Sequence, residues 1–304
     1  MSKASEDKIA NPKKSTVGAV GATRGLSLFS IPALGWFVFF TIGPLIAMFY
    51  ISFLNWRSLI GVSSWTGTSN YEKVFTSNVF YAAITNTAIQ LGFMIPIMIP
   101  LAFMVGYYLT LKRRGHRVLR VIMFTPGLFS ISATAMVFYA ALGPTGLLNA
   151  LLDTIGLEGT PWLASQETAL ASVIGIGIWQ GVGYTAVLFA ARLESIPKEL
   201  FEAAKLDGAS EWRIMWRIAF PVTLDFVGTI TMLQFLWTLF ASAGLILLLT
   251  RGGPGFSTTT LSLLIYQKAF FENDLGYSQA VGVILFFIGL AGMLLIRRLI
   301  RARY

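Results

Sequence analysis

The 304-residue chain is 55% hydrophobic and only 12% charged, with a formal net charge of +9 and no cysteine. Its mean hydropathy of +0.70, with a charge content about half that of an average soluble domain, excludes a water-soluble globule, because so little polar surface cannot cover so apolar an interior. The missing cysteines exclude disulfides, thiol chemistry and zinc sites built on thiolates.

The polar stretch 1–24 is too long, and the apolar run behind it too extended, for a cleavable signal peptide. A membrane helix needs about 20 apolar residues. Six runs meet that: 26–53, 82–111, 118–142, 168–191, 222–250 and 277–296. The expected fold is an all-α, multi-pass membrane protein with a tail 1–24, a six-helix domain 25–298 and a tail 299–304. Pro32, Pro44, Pro96, Pro100 and Pro126 fall inside runs and predict kinks, which membrane helices tolerate when neighbours satisfy the freed carbonyls.

Six spans put both termini on one side, and the basic residues choose the side. Of the 23 Lys and Arg, 19 fall in the N-terminal tail, in the loops after spans two and four, and in the C-terminal tail. The other three loops hold only Arg57, Lys73, Arg251 and Lys268. Both termini are expected in the cytoplasm. The positive charge is then a topology signal, and nucleic acid is not needed to explain it.

The loop after span four, 192–221, is long and internally ordered. Ser195 can cap a helix and Pro197 suits its first turn. The segment from Pro197 to Leu206 is rich in helix formers, and Asp207 and Gly208 stop it, glycine being suited to a left-handed cap. A second helix is expected near Ser210, with Trp212, Met215, Trp216 and Ala219 on a single apolar face and Arg213 and Arg217 on another. The pattern fits an amphipathic helix on anionic lipid and a docking surface for a cytoplasmic partner equally well.

Glu202-Ala203-Ala204, then Asp207-Gly208-Ala209, Ile218 and Pro221, resembles the EAA loop of ABC importer permeases. Met215, Phe220 and Asp225 stand where that pattern usually has Phe, Leu and a second Pro. The block Thr250-Arg-Gly-Gly-Pro-Gly-Phe-Ser-Thr258, with Leu261, Tyr266, Ala269-Phe270 and Gly276-Tyr277, is similar to the last external loop of carbohydrate permeases. The likeness is to the first of the two permease subunits in the maltose and glycerol-3-phosphate branch. The opening span, with Pro32, Pro44 and Ser52-Phe53-Leu54-Asn55-Trp56, looks like the same branch.

The resemblance implies a type I ABC importer permease in a bacterial or archaeal cell membrane, carrying a sugar or related carbohydrate by alternating access. Glu202, Ala203, Ala204, Asp207, Gly208 and Ala209 would form a coupling helix seated on a separate ATPase subunit. The implied partners are a second permease subunit, a dimer of ATP-binding subunits, an extracytoplasmic solute-binding protein and membrane lipid. ATP and Mg would sit on the ATPase. This chain has no G-x-x-x-x-G-K-[ST] sequence, and its glycine-rich stretch 252–255 reads as a tight external turn. The chain is not expected to be an enzyme or to hold a cofactor or metal.

A sugar path needs hydrogen-bonding groups and aromatic faces. The intramembrane candidates are Asn86 and Gln90 in span two, Trp179, Gln180 and Tyr184 in span four, and Gln234 and Trp237 in span five. Each could instead make an interhelical hydrogen bond or anchor at the interface. Gly177 and Gly181 form a GxxxG pair for close packing within the chain or against a second subunit. His116, the single histidine, belongs to a basic turn, and Glu272 and Asp274 lie outside any catalytic constellation. A secondary transporter working without an ATPase is the alternative, but mid-span charges and internal repeats, its usual signs, are missing from the sequence. A membrane enzyme would need clustered His, Asp or Glu at membrane depth, and a scaffold would have no reason to match the EAA spacing.

Overall fold

A computed structural model describes residues 30–57 and 61–300. The tail 1–24 and the last four residues of the tail 299–304 lie outside the described residues. The chain divides into two units, Met1–Ala47 and Met48–Tyr304.

Helix α1, Ser30–Ile51, is the first apolar span. Its π-helical turn at Val38–Ile42 precedes Pro44, whose ring cannot continue a regular α-helical hydrogen-bond ladder. A two-stranded antiparallel ribbon follows, β1 (Leu54–Asn55) pairing β2 (Ser64–Trp65). After the short α2, Ser69–Phe75, comes α3, Asn78–Thr110, which begins on a Ser77 side-chain cap and holds Pro96 and Pro100 inside one continuous helix.

The third expected span departs from the sequence reading. Instead of one helix over 118–142, α4 (His116–Phe124) runs into a 3-10 turn at Thr125–Leu128, and α5 (Ile131–Ala141) starts afresh. The halves are bent by 102°. The cause is local: Pro126 opens the tight turn, Phe129 is extended at ψ 139°, and the Ser130 hydroxyl caps α5 by accepting from the Ala133 amide at 3.1 Å.

Past α6, Leu147–Thr154, helix α7 spans Ala169–Glu194. The loop beyond it carries α8, Lys198–Leu206, and α9, Glu211–Ile214, which passes into a π-helical turn, Met215–Ala219, and a last helical turn, Phe220–Val222. The fifth run breaks at Ser242 into α10, Leu224–Ala241, and α11, Ala243–Leu249. Helix α12, Leu261–Tyr266, continues into a π-helical turn, Gln267–Phe271, and α13, Leu275–Leu299, is the last span. Among the described residues, five helices are long and apolar enough to cross a membrane, six if the bent pair counts as one span.

Helices α3 and α7 form the closest pair, and small residues make that possible. A Cβ at Gly106 would lie 2.7 Å from the Ala186 carbonyl oxygen and 2.9 Å from the Phe189 Cβ. The Met94 and Met98 methyl groups pack on Gly177 and Gly181. The GxxxG pair therefore serves a contact within this chain. One buried cluster, with Phe103, Phe189, Ile214 and Met215, ties this pair to the loop 192–221. A second, with Phe80, Leu261, Tyr277 and Val281, joins α3, α12 and α13.

Candidate functional site: the loop 192–221 and the polar groups of the apolar helices

The loop starts where α7 stops. Ser195 does not cap α8 as the sequence suggests; it folds back to donate to the Arg192 carbonyl at 2.6 Å and accepts from the Arg192 guanidinium at 3.0 Å. Pro197, extended at ψ 129°, takes the cap position itself, one residue ahead of the helix. At the far end of α8 the Gly208 amide donates to the Lys205 carbonyl and the Ala209 amide to the Ala204 carbonyl, both at 3.0 Å. With Gly208 at φ +74°, this is a complete Schellman stop.

That stop sorts the motif residues into two faces. Glu202, Ala203, Asp207 and Gly208 are exposed, and Leu206 at the tip is 89% exposed. Ala204 is buried, and Ala209 packs beside it in the chain's own core. The face left open is therefore Glu202, Ala203, Asp207 and Gly208, while Ala204 and Ala209 hold the helix against the body of the chain. This narrows the contact set implied by the resemblance.

The second helix starts at Ser210 as the sequence suggests, its side chain accepting from the Arg213 amide. The apolar face differs from the expected one: Ile214, Met215 and Ala219 are buried, Trp216 is half-buried, and Trp212 is 62% exposed. The wider winding of the π-helical turn brings residues five apart into line, so Ile214 shares a buried face with Ala219, while Trp212, ahead of that turn, keeps a ring contact with Trp216 at 5.8 Å.

Glu211 is a hub that sequence reasoning missed. Its carboxylate accepts from the Tyr107 hydroxyl at 2.9 Å, and it pairs with Lys205 at 3.1 Å and Arg113 at 3.6 Å. Four segments meet there: α3, the basic turn after it, α8 and α9. Burial alone would raise the carboxyl pKa, but hydrogen bonds from Lys205 and Tyr107 and the charges of Lys205 and Arg113 outweigh it and hold it below its ordinary value of 4.5. A lowered folded-state value stabilises the ionised, folded form above the ordinary value and stops doing so as pH falls through the folded one. Hydrogen exchange over 198–214 should be unchanged between neutral pH and the ordinary value, after correction for intrinsic rates. It should rise on further acidification, and more in the wild type than in Glu211→Gln. At the base of the loop, Arg192 pairs with Asp225 at 3.6 Å, so the carboxylate that replaces the usual proline is engaged.

The intramembrane candidates fall into separate groups. The Asn86 amide donates to the Phe256 carbonyl at 2.8 Å and the Thr259 carbonyl at 2.9 Å. The neighbouring Thr87 hydroxyl accepts from the Leu261 amide at 3.0 Å. Gln90 is buried, and its side-chain oxygen has no partner among the described residues. One turn on, Met94 receives a weak hydrogen bond from Thr238, which itself accepts from Gln234 at 3.3 Å. Gln180 donates to the Phe129 carbonyl and the Thr134 hydroxyl, tying α7 to the break between α4 and α5. Trp179 packs edge-on against Phe138, with ring centres 5.0 Å apart. Tyr184 and Trp237 are exposed. A cavity of about 850 Å³ lies between α3 and α7 beside the loop 250–260, and of these candidates only Asn86 lines it, with Tyr81, Glu167 and Phe256.

The loop 250–260 is a hydroxyl-bonded turn. Thr258, Thr259 and Thr260 are fully buried. Thr258 bonds to Thr250 at 2.7 Å and donates to the Gly253 carbonyl at 2.9 Å, and Thr259 donates to the Gly252 carbonyl at 3.0 Å. Gly252 at φ +92° and Gly255 at φ +58° make the expected tight turn. Among the described residues no group of three or more His, Cys, Asp or Glu is placed to hold a metal.

Residues 89–303 match the family described as "Binding-protein-dependent transport system inner membrane component". The chain is 34% identical to the probable ABC transporter permease protein YurN of Bacillus subtilis, over 87% of this chain and 91% of that one. It is 31% identical to the multiple sugar-binding transport system permease protein MsmF of Streptococcus mutans, over 90% and 94% of the two chains. Its fold is similar to that of a chain in the crystal structure of a bacterial alginate ABC transporter in complex with alginate pentasaccharide-bound periplasmic protein, with a TM-score of 0.80 at 23% identity, covering 93% of this chain and 96% of that one.

Proposed function

Because this chain belongs to the binding-protein-dependent transport system inner membrane component family, we propose that it is the permease subunit of an ABC importer that brings a sugar into the cell. The observation that carries the coupling half of this reading is the loop 192–221, where a Schellman-stopped helix presents Glu202, Ala203, Asp207 and Gly208 outward from a buried Ala204. Small residues let a partner approach closely, and a half-exposed carboxylate pairs well with a basic group in a cleft. The partner is a dimer of ATPase subunits that holds ATP and Mg. A second permease subunit completes the pathway, and an extracytoplasmic solute-binding protein delivers the cargo. The relatives named for multiple sugars, diacetylchitobiose and arabinooligosaccharides support a carbohydrate as that cargo. The distribution of Lys and Arg supports placing both termini and the loop 192–221 in the cytoplasm.

Within the membrane, the exposed Tyr184 and Trp237, with Trp179, Gln180 and Gln234, are the side chains suited to line the pathway: aromatic faces for sugar rings and amides for hydroxyls. Gln90, with its unpartnered carbonyl, belongs with them, whereas Asn86 spends its amide hydrogens on the outer loop.

Reconstitution tests the whole reading. Proteoliposomes holding this chain, its second permease subunit and the ATPase, supplied with the binding protein, should take up sugar only with ATP inside the cytoplasmic compartment. Uptake by this chain alone on a proton gradient would instead establish a secondary transporter.

A further inference from the structure

Helix α3 is tied at two places to the two loops that face opposite sides of the membrane. Toward its outer end, Asn86 donates twice to the loop 250–260, at 2.8 and 2.9 Å, and Thr87 accepts from the Leu261 amide. Toward its inner end, the Tyr107 hydroxyl donates to Glu211, which also binds Lys205 of α8 and Arg113 of the following turn. About 30 Å of helix separates Asn86 from Tyr107 at a rise of about 1.5 Å per residue, the thickness of a bilayer's hydrocarbon core. Between the ties, α3 lies against α7 with backbone-close contact at Gly106 and methionine-to-glycine contacts at Gly177 and Gly181. A helix so held shifts as a unit.

We propose that Glu211 is a positioning residue that fastens the cytoplasmic coupling loop to α3, and that α3 carries the loop's displacement to the outer loop docked on Asn86 and Thr87. The proposal rests on the reading of the loop 192–221 as the ATPase contact. Glu211 does not touch the ATPase in this account. It sits behind the exposed face, where its three partners hold α8 and α9 to the end of α3. Lys205 and Arg113 neutralise it from two sides, and the tyrosine hydroxyl supplies the contact to the membrane helix. Asn86 is the matching outer fastener: its two donated bonds make the outer loop follow any axial shift of α3.

The absence of cysteine from the chain makes the test direct. Single cysteines at Glu199, exposed on α8, and at Phe256, 52% exposed on the outer loop, are spin-labelled in separate preparations of the complete complex in lipid nanodiscs. Spectra are compared with and without ATP and vanadate. In the parent background both labels should respond. Tyr107→Phe, which removes one hydroxyl and leaves the ring, should preserve the Glu199 response and reduce the Phe256 response about tenfold, the effect of losing a hydrogen bond to a charged group. Asn86→Ala should do the same from the other end. An undiminished Phe256 response in Tyr107→Phe overturns the proposal, as does a parallel loss at both labels, which marks a merely structural role. No response at Glu199 in the parent background overturns the docking reading, and the proposal falls with it.

Discussion

Gly208→Val should abolish sugar uptake while the chain still inserts and accumulates in the membrane. Gly208 sits at φ +74°, where a side chain with a branched Cβ is least tolerated. A Cβ there meets no atom within 4 Å, so the defect is conformational, not a clash inside the chain. The left-handed backbone costs an ordinary residue about 1–2 kcal/mol. That is enough to exchange the Schellman stop for another turn and to redirect Ala209 and the start of α9. The exposed face of α8 then no longer has a fixed position relative to Glu211. A graded series separates this cause from simple bulk: Gly208→Asn, which tolerates the left-handed region, should retain much of the activity, Gly208→Ala less, and Gly208→Val none. Glu202→Lys should also abolish uptake, by reversing the charge offered to the partner without altering the helix. Uptake and membrane abundance are measured together, and wild-type transport by Gly208→Val or Glu202→Lys would remove the coupling assignment.

The second large effect is on stability. Gly183 of α7 faces the backbone of the α4 end so closely that a Cβ would fall on the Met123 carbonyl and crowd the Phe124 amide. Backbone atoms cannot swing aside as a flexible side chain can. Gly183→Val should therefore cost about 3 kcal/mol or more, the upper end of what overpacking causes. It should appear as a large loss of the folded fraction surviving heating in detergent. Gly175→Ala is the control on the same helix: a Cβ there meets nothing within 4 Å, so its survival curve should match the wild type. Equal curves for Gly183→Val and wild type would show that α4 does not rest on α7 as described.

Much of this architecture was legible in the sequence because burial in lipid imposes long, uniform signals. The second, fourth and sixth runs became helices Asn78–Thr110, Ala169–Glu194 and Leu275–Leu299, within a few residues of the hydropathy limits. The loop 192–221 was legible for a different reason: helix formers and an Asp-Gly stop are local rules, and they hold at Leu206 and Gly208, whereas the Ser cap expected at Ser195 does not form. Pro126 was also visible and pointed to a kink, but hydropathy cannot tell a kink from a turn of 102°. The site was less legible because its bonds are not local. Nothing in the sequence near Glu211 points to Tyr107, more than a hundred residues earlier. Asn86 looks like a polar group facing a pathway until its two carbonyl partners on a distant loop are seen. The apolar face of the second loop helix missed Ile214 because a π-helical turn breaks the 3.6-residue period on which such readings depend, and it included Trp212, which stands exposed at the start of that helix.

Arg192 and Asp225, 3.6 Å apart, mark the two ends of the segment between α7 and α10 and bring them together. A stretch of chain whose ends meet is a detour, and the distance between the helices it joins does not depend on its length. Lengthening such a detour costs little closure entropy, about 0.6 kcal/mol for each doubling. The segment can therefore change in length without moving either membrane helix that it joins.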